Sequence, residues 1–182
     1  HTLKTRGNLN SDSGMPLMAF ELTKEHEAAV FEMGMNHKGE IAALTKVGKP
    51  DLAVITNIGV SHIEHLGSQH NILYAKLEIE RGLAKNGVMI LNGDDKLLYG
   101  VAGKLKHKTV YFGMDNPAVQ YRAENVCEGE GFTEFDAVTP AGRCRARINT
   151  VGRHNVLNAM AAVTVGLYSG ISLEQAVAAN HN

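Results

Sequence analysis

Short apolar runs alternate with longer segments of amphipathic character from the N-terminus to residue 113. Apolar runs without alternation are typical of parallel strands that are covered on both faces. The pattern predicts these strands: 2–6, 28–33, 51–57, 87–91 and 108–112. It predicts these helices: 13–22, 38–47, 69–84 and 95–105. The order therefore predicts an α/β fold with a mostly parallel sheet flanked by helices.

The pattern changes between residues 119 and 150, where polar and apolar positions alternate. Residues 132–138 and 143–148 predict antiparallel strands with one solvated face, joined by a turn at 139–142. This segment is therefore expected to be a small β-rich insert.

Two helices are predicted after the insert. An Ala-rich helix spans 155–169 and ends at Gly170, a typical C-terminal signal. Ser172 with Gln175 three residues later predicts the capping box of a last helix.

Polar residues follow two of the predicted buried strands. Glu32 closes the run at 28–31, and His62 lies just past the strand at 51–57. Ligands of open α/β sheets bind outside the carboxyl ends of the strands, so these side chains are candidates for a cation or phosphate site. Glu32 has a second interpretation as a negative charge at a helix N-terminus. A single histidine is more often a loop residue.

The pair His62 and His65 raises the possibility of zinc. A zinc site needs further His or Cys ligands, and none is obvious nearby in the sequence. His65 is therefore interpreted as a loop residue.

Composition narrows the functional classes. The chain has 182 residues, of which 44% are hydrophobic and 20% charged, with a formal net charge of −1. This balance gives no support to nucleic-acid or anionic-membrane binding, and no apolar stretch approaches the roughly 20 residues of a membrane span. Cys127 and Cys144 lack metal-binding spacing and are expected to be reduced thiols in the core.

Six short sequence motifs carry more specific information about the function than the composition does. In chain order they are Gly-Asn-Leu-Asn (7–10), Glu-Met-Gly-Met-Asn-His-Lys-Gly-Glu-Ile (32–41), Thr-Asn-Ile-Gly-Val-Ser-His (56–62), Ala-Lys-Leu-Glu-Ile (75–79), Leu-Asn-Gly-Asp-Asp (91–95) and Gly-Arg-His-Asn-Val-Leu-Asn-Ala (152–159). Together they resemble the central, ATP-binding domain of the Mur ligases, which build the peptide of bacterial peptidoglycan precursors.

The resemblance covers nearly the whole chain and implies a fold like that of the P-loop NTPases. It is strongest to the member that joins D-alanyl-D-alanine to UDP-N-acetylmuramoyl-tripeptide through an acyl-phosphate, with ATP and Mg²⁺. These two compounds are then the expected partners. A cytoplasmic bacterial enzyme that acts as a monomer is expected.

The resemblance also implies a role for individual residues. Glu32 and His62 match residues that hold magnesium beside the γ-phosphate. Lys76 matches the lysine that carries a carbamate, a third metal ligand, and Lys76 and His62 are the implied catalytic residues. A lysine in a helix is otherwise usually a solvated surface residue.

Two further groups of residues are implied by the same match. The nucleotide-binding group is Asn57, Asn92, Asp94, His154, Asn155 and Asn158. The group that faces the muramoyl-peptide substrate is Asn8, Asn10, Asn36 and His37.

One departure from the family pattern affects the expected activity. The Gly-rich phosphate loop of these ligases ends in Gly-Lys-Thr or Gly-Lys-Ser, and the chain contains neither. Residues 1–182 are therefore expected to be a central domain truncated before its second strand, without the uridine-binding and C-terminal domains, and inactive alone. Two alternatives are another ligase of the superfamily, such as a different Mur enzyme or a folylpolyglutamate synthetase, and a non-catalytic domain of the same fold.

Overall fold

The computed structural model describes residues 1–61 and 63–179. The chain forms two compact units, and both are discontinuous in sequence. The first unit comprises residues 1–53 and 59–87, and the second comprises 54–58 and the chain from Val88 onward. His62 lies outside the described residues, so its predicted role at the metal stays a prediction.

The first unit combines a small parallel sheet with helices. Strands β1 (Thr2–Lys4) and β2 (Ala28–Val30) pair in parallel, with Leu3 opposite Ala29. The helices are α1 (Gly14–Phe20), α2 (Glu40–Gly48), α3 (Ile63–Leu66) and α4 (Gln69–Leu77), and a 3₁₀ turn follows at Glu78–Gly82. Helix α2 packs against α1 and the 3₁₀ turn, where Leu44 and Thr45 are buried.

The second unit is built around a six-stranded sheet with the order β3-β4-β5-β6-β7-β8. Its strands are β3 (Leu52–Ile55), which begins in the first unit, β4 (Val88–Asn92), β5 (Lys108–Gly113), β6 (Tyr121–Glu128), β7 (Thr133–Thr139) and β8 (Gly142–Ile148). Its helices are α5 (Lys96–Tyr99), α6 (Arg153–Tyr168) and α7 (Leu173–Ala178). Strands β4, β5 and β6 are parallel neighbours, whereas β6, β7 and β8 are antiparallel.

The core of the second unit lies between this sheet and α6. Every residue of β4 is buried, as the continuous apolar run predicted. Helix α6 contacts β4 to β8 and contributes Val156, Met160 and Val163, each fully buried. Burial of such a side chain stabilises the fold by about 1.5–3 kcal/mol. The predicted α/β class, with its antiparallel insert, is confirmed.

Three predicted elements need correction. Strand β2 ends at Val30 and all three of its residues are exposed, because its pairing is with β1 in a two-stranded sheet rather than within a covered one. The helix predicted at 69–84 is α-helical only to Leu77. The tighter turn that follows brings Gly82 so close to Thr45 that a Cβ on Gly82 would lie 2.7 Å from the Thr45 carbonyl oxygen.

The helix predicted at 95–105 is a single turn, Lys96–Tyr99. Gly100 and Gly103 follow it, and glycine costs a helix about 1 kcal/mol relative to alanine. Gly103 also has a φ of +72°, outside the right-handed helical region. The cysteines are free, as expected, but Cys127 is exposed and Cys144 half-buried, so neither is a core thiol.

The solvated face of β6–β8 carries a network of charged side chains. Arg143 donates to Glu124 at 2.6 Å and to Asp136 at 3.2 Å, and Arg145 donates to Asp136 at 3.2 Å. Hydrogen bonds from Asn125 and Arg145 hold the pKa of Asp136 below its ordinary value.

We expect the second unit to lose stability in acid, because protonation of Asp136 removes these interactions. The pKa of Asp136 is lower in the folded state than in the unfolded state, where the pKa of an aspartate is about 4. The ionised carboxylate therefore stabilises the folded protein at pH values above the unfolded pKa, and this stabilisation is lost as the pH falls through the lowered folded-state pKa. Urea unfolding of the chain between about pH 5 and 2 measures the loss. Asp136→Asn should show a shallower pH dependence, and a dependence equal to that of the unsubstituted chain would contradict the prediction.

Candidate active site

Hydrogen bonds connect the end of β2 to the loop that contains Asn10. The Asn10 amide donates to Glu32 Oε1 at 2.9 Å, and the Gly34 N–H donates to the Asn10 carbonyl oxygen at 2.8 Å. The Glu32 N–H donates to Thr5 Oγ1 at 2.9 Å. A Cβ on Gly34 would lie 3.1 Å from the Asn10 side chain, so glycine permits this close approach. The structure thus brings together Asn10 and Glu32, two predicted site residues.

The next predicted residues, Asn36 and His37, form a turn around Glu40. The Glu40 carboxylate accepts hydrogen bonds from the Asn36 N–H at 2.6 Å and the His37 N–H at 3.1 Å, and it contacts His37 Nδ1 at 3.0 Å. The Asn36 N–H is the main cause that lowers the pKa of Glu40, with His37 contributing further. An ionised Glu40 therefore holds the turn. The sequence interpretation missed it, although a Glu three residues after His37 is a short-range signal.

A cleft of about 230 Å³ lies beside these two loops. Its lining consists of Asn10, Ser11, Asp12, Gly34, Met35, Asn36 and Glu40. Five of these seven residues carry an amide, hydroxyl or carboxylate group, so the cleft offers hydrogen-bonding partners to a polar substrate. Asn8, the remaining residue of the predicted substrate group, is exposed in the loop before Asn10.

Lys76 lies in the last turn of α4 and is half-buried. Helix α4 begins after Ser68, whose hydroxyl accepts a hydrogen bond from the Asn71 N–H at 3.2 Å. His65 is exposed on α3, and its ring centroid lies 5.5 Å from that of His37. Within residues 1–61 and 63–179 no group of three or more His, Cys, Asp or Glu side chains is arranged to hold a metal ion.

Glu32 has the chemistry that a magnesium ligand needs. Its side chain is an exposed carboxylate with one oxygen oriented by Asn10. Magnesium is usually held by one or two carboxylates together with water and substrate phosphates, so a three-carboxylate cluster is not required. The Glu32 carboxylate therefore fits the ion.

The predicted nucleotide residues lie in the second unit, and two of them organise its loops. Asn92 is buried, donates to the Thr56 carbonyl oxygen at 2.8 Å and accepts from the Asp94 N–H at 2.9 Å. Asp94 accepts three backbone N–H groups in the loop after β5, at distances of 2.7, 3.1 and 2.8 Å. The donors are Met114, Asp115 and Asn116.

Asp95 is a loop organiser that sequence reasoning did not single out. Its carboxylate accepts from the Leu97 and Leu98 N–H groups at the start of α5, and from the Ile58 N–H at 2.6 Å. Asn57, beside Ile58, is exposed. Asp95 and Asn92 therefore fix the segment that follows β3 in the second unit.

The remaining predicted nucleotide residues lie at the start of α6. His154 and Asn158 are exposed, whereas the Asn155 amide donates to Thr150 Oγ1 at 3.0 Å and to the Val151 carbonyl oxygen at 2.8 Å. Asn155 therefore shapes the turn into α6. It does not accept a capping hydrogen bond at the helix start, where Gly152 is the N-cap with a φ of +105°.

Beside this turn, Arg153 forms an ion pair with Asp115 that the sequence did not reveal. Its guanidinium lies 2.6 and 2.7 Å from the two carboxylate oxygens. The pair links the start of α6 to the loop held by Asp94.

Comparison with known proteins identifies the family of the chain that carries these features. The sequence model of the Mur ligase middle domain matches residues 1–166. The chain belongs to the Mur ligase family. Its Mur ligase middle domain contains both the Asn10–Glu32 pair and the loops around Asp94. No helix among the described residues has the length and apolar character needed to cross a membrane.

Two curated relatives of this Mur ligase domain are named UDP-N-acetylmuramoyl-tripeptide--D-alanyl-D-alanine ligase. The Bacillus subtilis 168 protein is 44% identical over 174 residues, which is 95% of this chain and 36% of the relative. The Escherichia coli K12 protein is 35% identical over 175 residues, which is 96% of this chain and 39% of the relative. The chain thus spans less than two-fifths of the length of these relatives.

Solved structures agree with the Mur ligase assignment. MurF from Acinetobacter baumannii has a TM-score of 0.92 and 38% identity, and the match covers all of this chain and 40% of that one. MurF from Thermotoga maritima in complex with ADP has a TM-score of 0.86 and 26% identity, over 97% of this chain and 41% of that one. The predicted family and fold class are confirmed.

Proposed function

We propose that this chain is the ATP-binding part of a longer ligase that joins D-alanyl-D-alanine to UDP-N-acetylmuramoyl-tripeptide. The observation that carries the proposal is the 44% identity, over 95% of the chain, to a relative with that name. The Asn10–Glu32 pair, beside a cleft that carries amide and carboxylate side chains, supports it. We further propose that the protein acts as a monomer in the bacterial cytoplasm.

The proposed reaction has two steps. The carboxylate of the tripeptide attacks the γ-phosphorus of ATP, which forms an acyl-phosphate and releases ADP. The amine of D-alanyl-D-alanine then attacks the acyl carbon, loses a proton and displaces inorganic phosphate, so that an amide bond results. Such transfers depend mainly on positioning and on neutralising the charge of the phosphate oxygens.

The chain's residues form three groups in this proposal, which would bind the metal ion, the tripeptide and ATP. Glu32 would hold Mg²⁺ together with His62 and a carbamylated Lys76, and the ion would neutralise charge on the transferring phosphate. Asn8, Asn10, Asn36 and His37 would orient the tripeptide. The loops around Asn92, Asp94 and Asn155 would bind ATP, with Asn57, His154 and Asn158 exposed beside them.

A different ligase of the superfamily is the main alternative. A folylpolyglutamate synthetase from L. casei aligns with a TM-score of 0.66 at 15% identity, which supports a common fold alone. A non-catalytic domain of the same fold is the second alternative. The exposed Glu32 carboxylate favours an active ligase, because an exposed acid oriented by an amide is poised for a ligand rather than used in packing.

Phosphate release by the full-length protein separates these functions. With ATP and Mg²⁺, release should require both UDP-N-acetylmuramoyl-tripeptide and D-alanyl-D-alanine. Release only with another acceptor pair would favour the other ligases, and no release with any pair would favour the non-catalytic domain. The 182-residue chain alone is expected to be inactive and to bind Mg-ATP only weakly, because it contains no Gly-Lys-Thr or Gly-Lys-Ser loop.

We expect Asn155→Ala to raise the KM for ATP several-fold in the full-length protein, with little change in the KM for the tripeptide. The Asn155 amide holds the turn at Thr150 and Val151, so its loss should disturb the proposed nucleotide-binding loops. Contacts made equally in ground and transition states affect mainly KM. Nucleotide titration measures this effect. Unchanged ATP affinity in Asn155→Ala would show that Asn155 only shapes the start of α6.

A further inference from the structure

A buried carboxylate lies two residues after Lys76. Glu78 begins the 3₁₀ turn after α4 and is only 9% exposed. Its two oxygens accept from the Gly39 N–H at 3.0 and 2.8 Å, and one also accepts from the Ala42 N–H at 3.4 Å. A buried carboxylate requires partners of this kind, because its desolvation is otherwise costly.

Helix α2 depends on this carboxylate for its start. The first N–H groups of a helix have no partner within the helix, and a side chain at the N-cap usually supplies one. The N-cap of α2 is Gly39, which has no side chain to do so. Glu78, which lies in another element, accepts the Ala42 N–H of the first turn and also the N–H of the N-cap residue Gly39.

The start of α2 in turn controls one wall of the cleft. Glu40, the first residue of α2, accepts the N–H groups of Asn36 and His37. Asn36 and Glu40 both line the cleft. A shift of the helix start would therefore move Glu40, and with it the Asn36 backbone that Glu40 holds.

We infer that Glu78 is a positioning residue, which fixes Asn36 and Glu40 in the cleft and joins them to the segment that carries Lys76. The contacts run from Glu78 to Gly39, through the helix start to Glu40, and from Glu40 to Asn36. The kinetic consequence rests on the proposed function, whereas the positioning itself is a property of the fold.

Amide hydrogen exchange of the chain tests the positioning directly. Glu78→Ala should accelerate exchange at Gly39 and Ala42 by about tenfold or more, because their acceptor is lost. Amides of β1 in the same unit should change much less. Glu78→Gln should restore slow exchange, because the amide oxygen still accepts a hydrogen bond.

Kinetics of the full-length protein test the link to the cleft. Glu78→Ala should raise the KM for UDP-N-acetylmuramoyl-tripeptide by about tenfold, since small misplacements of binding groups have effects of this order or larger. The KM for ATP should change much less, and Glu78→Gln should recover most of the loss. Parallel changes in both KM values would overturn the link.

Other outcomes are equally decisive. Unchanged exchange at Gly39 and Ala42, or a uniform increase throughout the first unit, would overturn the positioning role. If Glu78→Ala does not fold, Glu78→Asp takes its place, because the shorter side chain withdraws the carboxylate from Gly39. Slow exchange at Gly39 in that variant would also overturn the role. If the unsubstituted protein has no ligase activity, the proposed function falls while the exchange experiment still tests Glu78.

Discussion

Replacement of Glu32 by alanine should lower the turnover of the full-length ligase by about 10²-fold or more. The substitution removes an exposed carboxylate proposed to hold the ion that neutralises the γ-phosphate. A loss of 10²-fold corresponds to about 2.7 kcal/mol of transition-state stabilisation, which one metal ligand can supply. Phosphate release measured over a range of magnesium concentrations gives the effect.

A matched control is available close by. Glu25 is also an exposed glutamate of the first unit, and it has no role in the proposed site. Glu25→Ala should retain activity, and both variants should unfold at the same urea concentration as the unsubstituted protein. Near-normal turnover of Glu32→Ala at saturating magnesium would contradict the metal assignment.

Asp94→Ala should lower the free energy of unfolding of the 182-residue chain by about 2–4 kcal/mol. Three backbone N–H groups lose their acceptor, and those of Met114 and Asn116 lie in part-buried positions. Each buried donor left unsatisfied costs about 1–3 kcal/mol. The carboxylate oxygen also lies 2.6 Å from where a Cβ on Gly113 would stand, so the loop is closely fitted to Asp94. Urea denaturation measures the change.

Asp115 provides the comparison for Asp94. It lies in the same loop, but its side chain is 71% exposed and its partner is the surface residue Arg153. Exposed ion pairs contribute about 0–1 kcal/mol, so Asp115→Ala should be nearly neutral. Equal destabilisation by the two substitutions would show that Asp94 does not organise the loop.

Features that depend on nearby residues were predictable from the sequence. The capping box of Ser172 and Gln175 is present, because both hydrogen bonds are made within one turn. The apolar run at 87–91 became the buried strand β4, and the alternating run at 132–138 became β7. The ordered strings led to the Mur ligase family, and Asn10 and Glu32 are in direct contact.

The unpredicted features depend on contacts between distant parts of the chain. The hydrogen bonds between Glu78 and the start of α2 connect residues far apart in sequence. In the sequence alone, Glu78 looks like an ordinary helical residue that follows Lys76 and Leu77. The hydrogen bonds of Asp94 arise because β5 lies beside β4, which brings the loops after both strands together. The exposure of β2 was missed because an apolar run does not reveal how many strands will pair beside it.

The discontinuity of the second unit has a consequence for its synthesis. Residues 54–58 belong to that unit, but 59–87 separate them from the rest. Thr56 and Ile58 leave the ribosome well before Asn92 and Asp95, the residues that bind them. This short segment must therefore remain available until β4 emerges, and a protein started at Val88 would lack it. An uninterrupted stretch of chain that contains the whole second unit must therefore also include residues 59–87 of the first unit.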